Sequence, residues 1–287
     1  MEKNHEKNKL FSNPLVRILL GVLVCLGVVI IGQEIAGKFL MSTGLDRDYR
    51  NLLKGLVVSL LAIASYRTFF RLIEKRAITE ISLNGLAKNL ILGVSIGVVL
   101  QCLTVLVIYI NNGFAIISIN PVSFIIIPLA VAFTVAILEE ILIRGILFRI
   151  IEEKIGSSLA LLSSALVFGA LHLVNPGSSL VSASCITIEA GFLLGAAYIY
   201  ARNLWFPIAI HFAWNFMQSG IFGAITSGNE KTNSLLTTQI TGSKLITGGE
   251  FGPEGTLQAT VVGLIATIVL MYLNIKRNKL IKPYWKK

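Results

Sequence analysis

The chain has 287 residues, of which 54% are hydrophobic and only 14% charged, with a mean hydropathy of +0.77. A soluble domain carries roughly a quarter of its residues charged, so this composition excludes an ordinary soluble globular protein and points to an all-α, polytopic membrane protein. The formal net charge of +10 collects in the connections between apolar runs, where it acts on membrane topology and does not form a docking surface for nucleic acid.

A crossing helix needs about 20 mostly apolar residues. Windows of that kind predict eight spans, at 15–36, 55–72, 89–110, 122–149, 157–174, 179–201, 204–222 and 256–275. The first ends in Gln33 and Glu34 without a small-residue cleavage pattern, so it reads as a retained helix and not a removed signal peptide. The second, closing in "SYRTFFRLIEKR", is the least apolar. The fourth and fifth form a tight helical hairpin turning near Ile155 and Gly156. Residues 223–255, rich in Gly, Ser and Thr, are a long outside connection, expected to be the most mobile part of the chain.

With the N-terminus inside, the inside connections hold nineteen Lys and Arg residues against six outside, namely Lys38, Arg47, Arg50, Lys54, Lys231 and Lys244. The positive-inside rule then places both termini in the cytoplasm, in agreement with an even helix count. The segment 38–55 dissents, with four basic residues on the wrong side. The whole chain reads as one integral membrane domain, with an N-terminal tail (1–14), a core at 120–222 and a basic tail (276–287). Cys25, Cys102 and Cys185 lie in apolar segments, share no metal-ligand spacing and carry no disulfide signal.

An ionisable residue inside a bilayer is costly and is by default a functional candidate. The spans contain Glu34, Glu139, Glu140, Glu189, His172 and His211, with Arg144 near a cytoplasmic end and the amides Gln101 and Asn215. The remaining histidine, His5, sits in the polar tail. Glu140 and Arg144 stand at i and i+4 with the acid first, the favourable order for a helical ion pair. That pairing leaves Glu139 without a local partner, as a general base requires. Glu139 and His172 are equally far from the hairpin turn, about 20 Å along regular helices, so they meet at matching depth. His211 and Asn215, also at i and i+4, project from one face of the seventh span.

"EEILIR" (139–144), "FGALH" (168–172) and "HFAWN" (211–215) resemble the EExxxR, FxxxH and HxxxN/D motifs of the CPBP (Abi) family of intramembrane proteases. That family includes the type II CAAX prenyl endopeptidases and bacterial relatives, some linked to bacteriocin immunity. The motifs occur in the family's order on separate apolar helices within about 120–222. "FGPEG" (251–255) is similar to a segment of many bacterial members. The resemblance implies that Glu139 and His172 activate a water, and that His211 and Asn215 stabilise the tetrahedral oxyanion. Glu140 and Arg144 are read as a structural ion pair and Phe168 as packing under the site.

The implied activity is an intramembrane endopeptidase acting on membrane-associated or lipidated peptides, without a cofactor; the richness in Lys, Asn and Ile points to the plasma membrane of a bacterial cell. Two His and one Glu are also a zinc ligand set, so a Zn²⁺-dependent form of the same protease is an alternative, although 39 residues separate the histidines and the HExxH spacing is missing. A non-catalytic membrane scaffold or immunity protein and a proton-coupled transporter are competing readings from different functional classes. Glu34 and Glu189 match no motif and are expected to bond between helices or to line a cavity. Gly93 with Gly97, and Gly191 with Gly195, have GxxxG spacing for close helix approach, within the chain or in a homodimer.

Overall fold

The computed structural model describes residues 13–286; His5 and most of the N-terminal tail lie outside them. α1 (Pro14–Met41) begins on Asn13, whose side chain accepts from the Leu15 N–H, with Pro14 where a missing donor costs nothing. α2 (Arg47–Glu74) and α3 (Leu86–Ile110) follow. α2 starts at Arg47 and not at 55, because "RDYRNLLK" contains several good helix formers that a hydropathy window does not score.

α4 (Ile126–Glu140) continues through a π-helical stretch (Ile141–Phe148) into α5 (Arg149–Leu171). α6 (Leu180–Ile186), a second π stretch (Thr187–Phe192) and α7 (Leu193–Ala201) make the next rod. α8 (Trp205–Asn215) ends in a third π stretch (Phe216–Ile221); α9 (Lys244–Thr247) is a short turn, and α10 (Leu257–Lys276) is the last long helix.

Among the described residues, six helical runs are long and apolar enough to cross a membrane. One of them, Val122–Val174, spans 53 residues but is two arms. It reverses at Gly156, where φ is 77° and ψ 170°. The Arg144 guanidinium consequently lies 4.6 Å from the Phe168 ring centroid, whereas a straight helix would hold these residues about 36 Å apart. Trp205–Ile221 has only 11 α-helical and 6 π-helical residues. The architecture is thus an all-α polytopic membrane protein, and the count of eight crossings is not established by length and hydropathy.

Two short strands interrupt the helical pattern expected from hydropathy. β1 (Phe114–Ile119) and β2 (Leu236–Ile240) pair antiparallel, with Phe114 opposite Ile240, Ile119 opposite Leu236 and a register irregularity between Ile116 and Ser118. Connection 223–255, marked as mobile by its composition, carries β2 and α9 and buries Phe251 and Glu254. The GxxxG glycines serve packing within the chain. A Cβ on Gly93 would fall 2.8 Å from the Phe206 carbonyl oxygen and one on Gly97 2.5 Å from that of Ile210, so α3 lies directly on α8.

One end of the bundle is tied by charge. Arg17 bridges Glu74 and Glu153, and Arg149 reaches the same two carboxylates at 2.9 Å each. Arg76 pairs with Glu74 and Glu80 at 2.6 Å each, the Tyr66 hydroxyl donates to Glu80, and Arg202 bonds Glu152 and the Lys279 carbonyl. Burial pushes the Glu80 carboxyl up, and the hydrogen bonds from Arg76 and Tyr66 more than reverse this, leaving it below the usual carboxylate range. The helix ends expected to share the cytoplasm therefore share one face of the molecule.

Gly156 is fixed by both conformation and space. Ser157 N–H donates to the Ile281 carbonyl at 2.9 Å, Ile281 N–H donates back to the Ser157 hydroxyl at 2.8 Å, and a Cβ on Gly156 would meet the Ile281 oxygen and Pro283 nitrogen at 2.7 Å each. Gly156→Ala should lower the thermal midpoint of detergent-purified protein, at a cost of about 1–3 kcal/mol for the backbone strain alone. Gly85→Ala, also at positive φ but with open space around it, should cost only about 1 kcal/mol. Equal melting of the two variants would contradict the packing described for the turn.

Candidate active site

Glu140 and Arg144 are fully buried and paired, with Arg144 Nη1 2.8 Å from Glu140 Oε1. Arg144 Nη2 donates to the Ala190 and Gly191 carbonyls at 3.1 Å each, in the π stretch Thr187–Phe192, and its guanidinium lies over the Phe168 ring. Glu140 Oε1 also lies 3.1 Å from His211 Nδ1. The ion pair read from the i,i+4 spacing thus reaches three other parts of the fold, and its link to His211 leaves no trace in the motif spacing.

Glu139 turns away from this pair. Its side chain is 33% exposed, its Oε2 has no hydrogen-bond partner among the described residues, and that oxygen lies 3.9 Å from His211 Nε2. His172 Nδ1 bonds the Phe168 carbonyl oxygen at 2.8 Å, which leaves Nε2 available. The Phe168 ring lies 4.7 Å from the His172 ring and 6.2 Å from that of His211, between centroids. Glu139, His172, His211 and Asn215 all line one cavity of about 430 Å³. The four sequence candidates are therefore brought together on α4, the end of α5 and α8.

A second, narrower cavity lies behind the two histidines. It shares His172, His211, Asn215 and Ser227 with the first, and Glu189 and Glu254 also line it. Glu189 is 2% exposed and its Oε2 has no hydrogen-bond partner among the described residues. Glu254 accepts from the Ser227 N–H, and the Ser227 carbonyl accepts from Asn175 Nδ2 at 3.0 Å. Burial raises the Glu254 carboxyl to about 7 against the lowering effect of Ser227. Gln101 donates to Gln218 at 2.9 Å, and Gln218 donates to the Ile225 carbonyl at 2.8 Å, holding this connection against the bundle.

Ser227 and Glu254 do not stand out in the sequence, because they lie in a connection read by composition; the "FGPEG" segment is the one available signal. Glu189 lines a cavity, as expected of one of the two unmatched acids. Glu34 does not: it is exposed on α1, away from both cavities, and its position within an apolar window carries no information about which face it occupies. Cys25 is buried and Cys102 exposed, and all three cysteines are free. Among the described residues, no three His, Cys, Asp or Glu side chains are placed to hold one metal ion.

The match of the chain to known families falls on the segment that carries this geometry. Residues 121–217 match the family described as type II CAAX prenyl endopeptidase Rce1-like. The match covers α4 to α8 and all four cavity-lining candidates, and it implies a membrane peptidase of the CAAX type. No curated protein and no solved structure matches the chain.

Removing one partner of a buried ion pair strands the other, at roughly 3–5 kcal/mol. Arg144→Met and Glu140→Met should each lower the melting temperature strongly. The double variant should recover part of the loss, since no unpaired charge remains. Additive losses in a double-mutant cycle would show that the two residues are not coupled.

Proposed function

We propose that the chain is an intramembrane endopeptidase that hydrolyses membrane-associated or lipidated peptides by a water activated between Glu139 and His172. Glu139 takes a proton from the water as its oxygen attacks the scissile carbonyl. His172 orients the water through Nε2, its ring held by the Phe168 carbonyl. The tetrahedral oxyanion accepts from His211 Nε2–H and the Asn215 amide. The proton taken by Glu139 then passes to the leaving amine as the C–N bond breaks.

Glu140 fits this scheme as a positioning residue. Its carboxylate accepts from the Nδ1–H of His211 while bonded to Arg144, and with His211 held as the imidazolium between acids its Nε2–H is left for the oxyanion. The observation that carries the reading is Glu139 Oε2, without a hydrogen-bond partner among the described residues and 3.9 Å from His211 Nε2, in a cavity that His172 and Asn215 also line. The donor geometry favours a metal-independent reaction. In the membrane, the charged helix ends would face the cytoplasm with both termini, and the cavity would open toward the other side.

Glu139→Gln should cut turnover by roughly 10²- to 10⁴-fold, the range for loss of a general base, with melting unchanged. Near-normal turnover in the purified variant would remove Glu139 from the chemistry. Asn215→Ala should lose roughly 10²- to 10³-fold in single-turnover cleavage, and adding His211→Ala should cost less than the product of the two effects, because both donors serve one charge. Activity should survive dialysis against a strong chelator. Loss restored by stoichiometric Zn²⁺ would establish the metal-dependent form.

A further inference from the structure

The inner cavity holds two carboxyl groups that the proposed chemistry does not use. Glu189 and Glu254 are each 2% exposed. Glu254 is among the nearest charges to Glu189, and no Lys or Arg pairs with either among the described residues. Two ionised carboxylates lining one low-dielectric cavity repel, and neither has an ion-pair partner among the described residues. A buried acid with an unpartnered oxygen avoids the cost of its charge by keeping a proton unless a cation binds beside it.

The cavity indicates the chemistry of such a ligand. Most of its wall is apolar, including Leu193, Ile210 and Trp214, and it adjoins the reaction cavity, with which it shares His172, His211, Asn215 and Ser227. The space open to the centres of water-sized groups is about 30 Å³, roughly two or three such groups in line. That admits the tip of an unbranched stem, an ammonium with roughly its last one or two methylenes, the rest of the stem lying in the reaction cavity, and excludes an aromatic ring or a polyisoprenoid chain. Apolar walls with carboxylates among them suit a slender aliphatic stem ending in a positive charge.

We propose that this cavity is a specificity subsite for a lysine side chain of the substrate next to the scissile bond, with Glu189 and Glu254 as its counter-charges. The proposal rests on the endopeptidase reading above. The ammonium relieves the repulsion between the carboxyls and satisfies Glu189 Oε2. The last methylenes of the stem lie along Leu193 and Ile210. A guanidinium has four non-hydrogen atoms, more than the roughly two or three groups this volume holds, so lysine is favoured over arginine.

Two measurements test this, and the first does not depend on cleavage. Nα-acetyl-lysine amide added to detergent-purified protein should show saturation-transfer NMR signals at its ε-methylene, while Nα-acetyl-norleucine amide should show far weaker ones. The lysine signal should vanish in Glu189→Gln and Glu254→Gln proteins that retain the wild-type melting temperature. If a Gln variant does not fold, Glu189→Asp and Glu254→Asp serve, since a shortened acid should weaken the signal without removing charge.

The second measurement offers a library of N-acetylated peptides in detergent free of aminolipid, so that a peptide amino terminus or a lipid head group cannot supply the ammonium. Cut sites should carry lysine at one fixed position. The lysine peptide should exceed its norleucine counterpart by roughly 100-fold in kcat/KM, the scale of a buried charge pair, with the ratio collapsing in the acid variants through KM. Equal cleavage of the two peptides together with no NMR signal overturns the proposal. Folded variants that lose both peptides equally through kcat also overturn it, and would assign the carboxyls to proton transfer. If the wild type cuts no peptide, the endopeptidase reading fails and the NMR result decides the cavity on its own.

Discussion

A fully buried ion pair must draw hydrogen-bond partners from the packing around it, and the Glu140–Arg144 pair draws them from the rest of the bundle, leaving only Glu140 Oε2 and Arg144 Nε without one among the described residues. Arg144 draws on Glu140, on two carbonyls of the Thr187–Phe192 stretch and on the face of Phe168. Glu140 adds His211. The partners that this guanidinium and carboxylate do find therefore fix α4 against α5, α6–α7 and α8 together. Breaking any of these contacts leaves a charge in a medium with no water to receive it. The pair thus works as a register device: it sets the rotation of four helical rods about one point and leaves the adjacent Glu139 pointing elsewhere.

The π-helical stretches belong to the same constraint. Ile141–Phe148 contains Arg144, Thr187–Phe192 contains Glu189 and the two acceptor carbonyls, and Phe216–Ile221 follows directly on Asn215. π turns in a helix frequently mark functional sites, because each widened turn rotates the residues beyond it relative to a regular helix. Here all three occur where a polar group must reach inward from an otherwise apolar rod. The bundle gives up regular helix at the level of the site and keeps it elsewhere.

This explains what is readable in the sequence. The i,i+4 pair at 140 and 144, the reversal at Gly156 and the common cavity of Glu139, His172, His211 and Asn215 follow from helical periodicity and antiparallel arms, which are local properties. The His211–Glu140 contact is not readable, because it depends on how two rods rotate against each other, and the π stretches set that rotation. β1 and β2 are hidden because "FAIISI" is as apolar as a span edge and its pairing partner lies more than a hundred residues away. Ser227 and Glu254 escape notice for a related reason. A connection rich in Gly and Ser looks mobile by composition, yet strand pairing and the Gln101–Gln218–Ile225 chain hold it against the bundle.

The charges divide between the two ends of the molecule, and the division has a physical reason. At the end tied by Arg17, Arg149, Arg76 and Arg202, the arginines meet Glu74, Glu153, Glu80 and Glu152, so positive and negative charge compensate each other in the native state. Around the cavities, Glu139, Glu189 and Glu254 have no such arginine partners among the described residues. Charge that is compensated holds helices together and has little capacity left for a ligand. The uncompensated acids around the cavities have no Lys or Arg partner among the described residues, Glu254 accepting from the Ser227 N–H, and they retain the ability to take a proton or a cation.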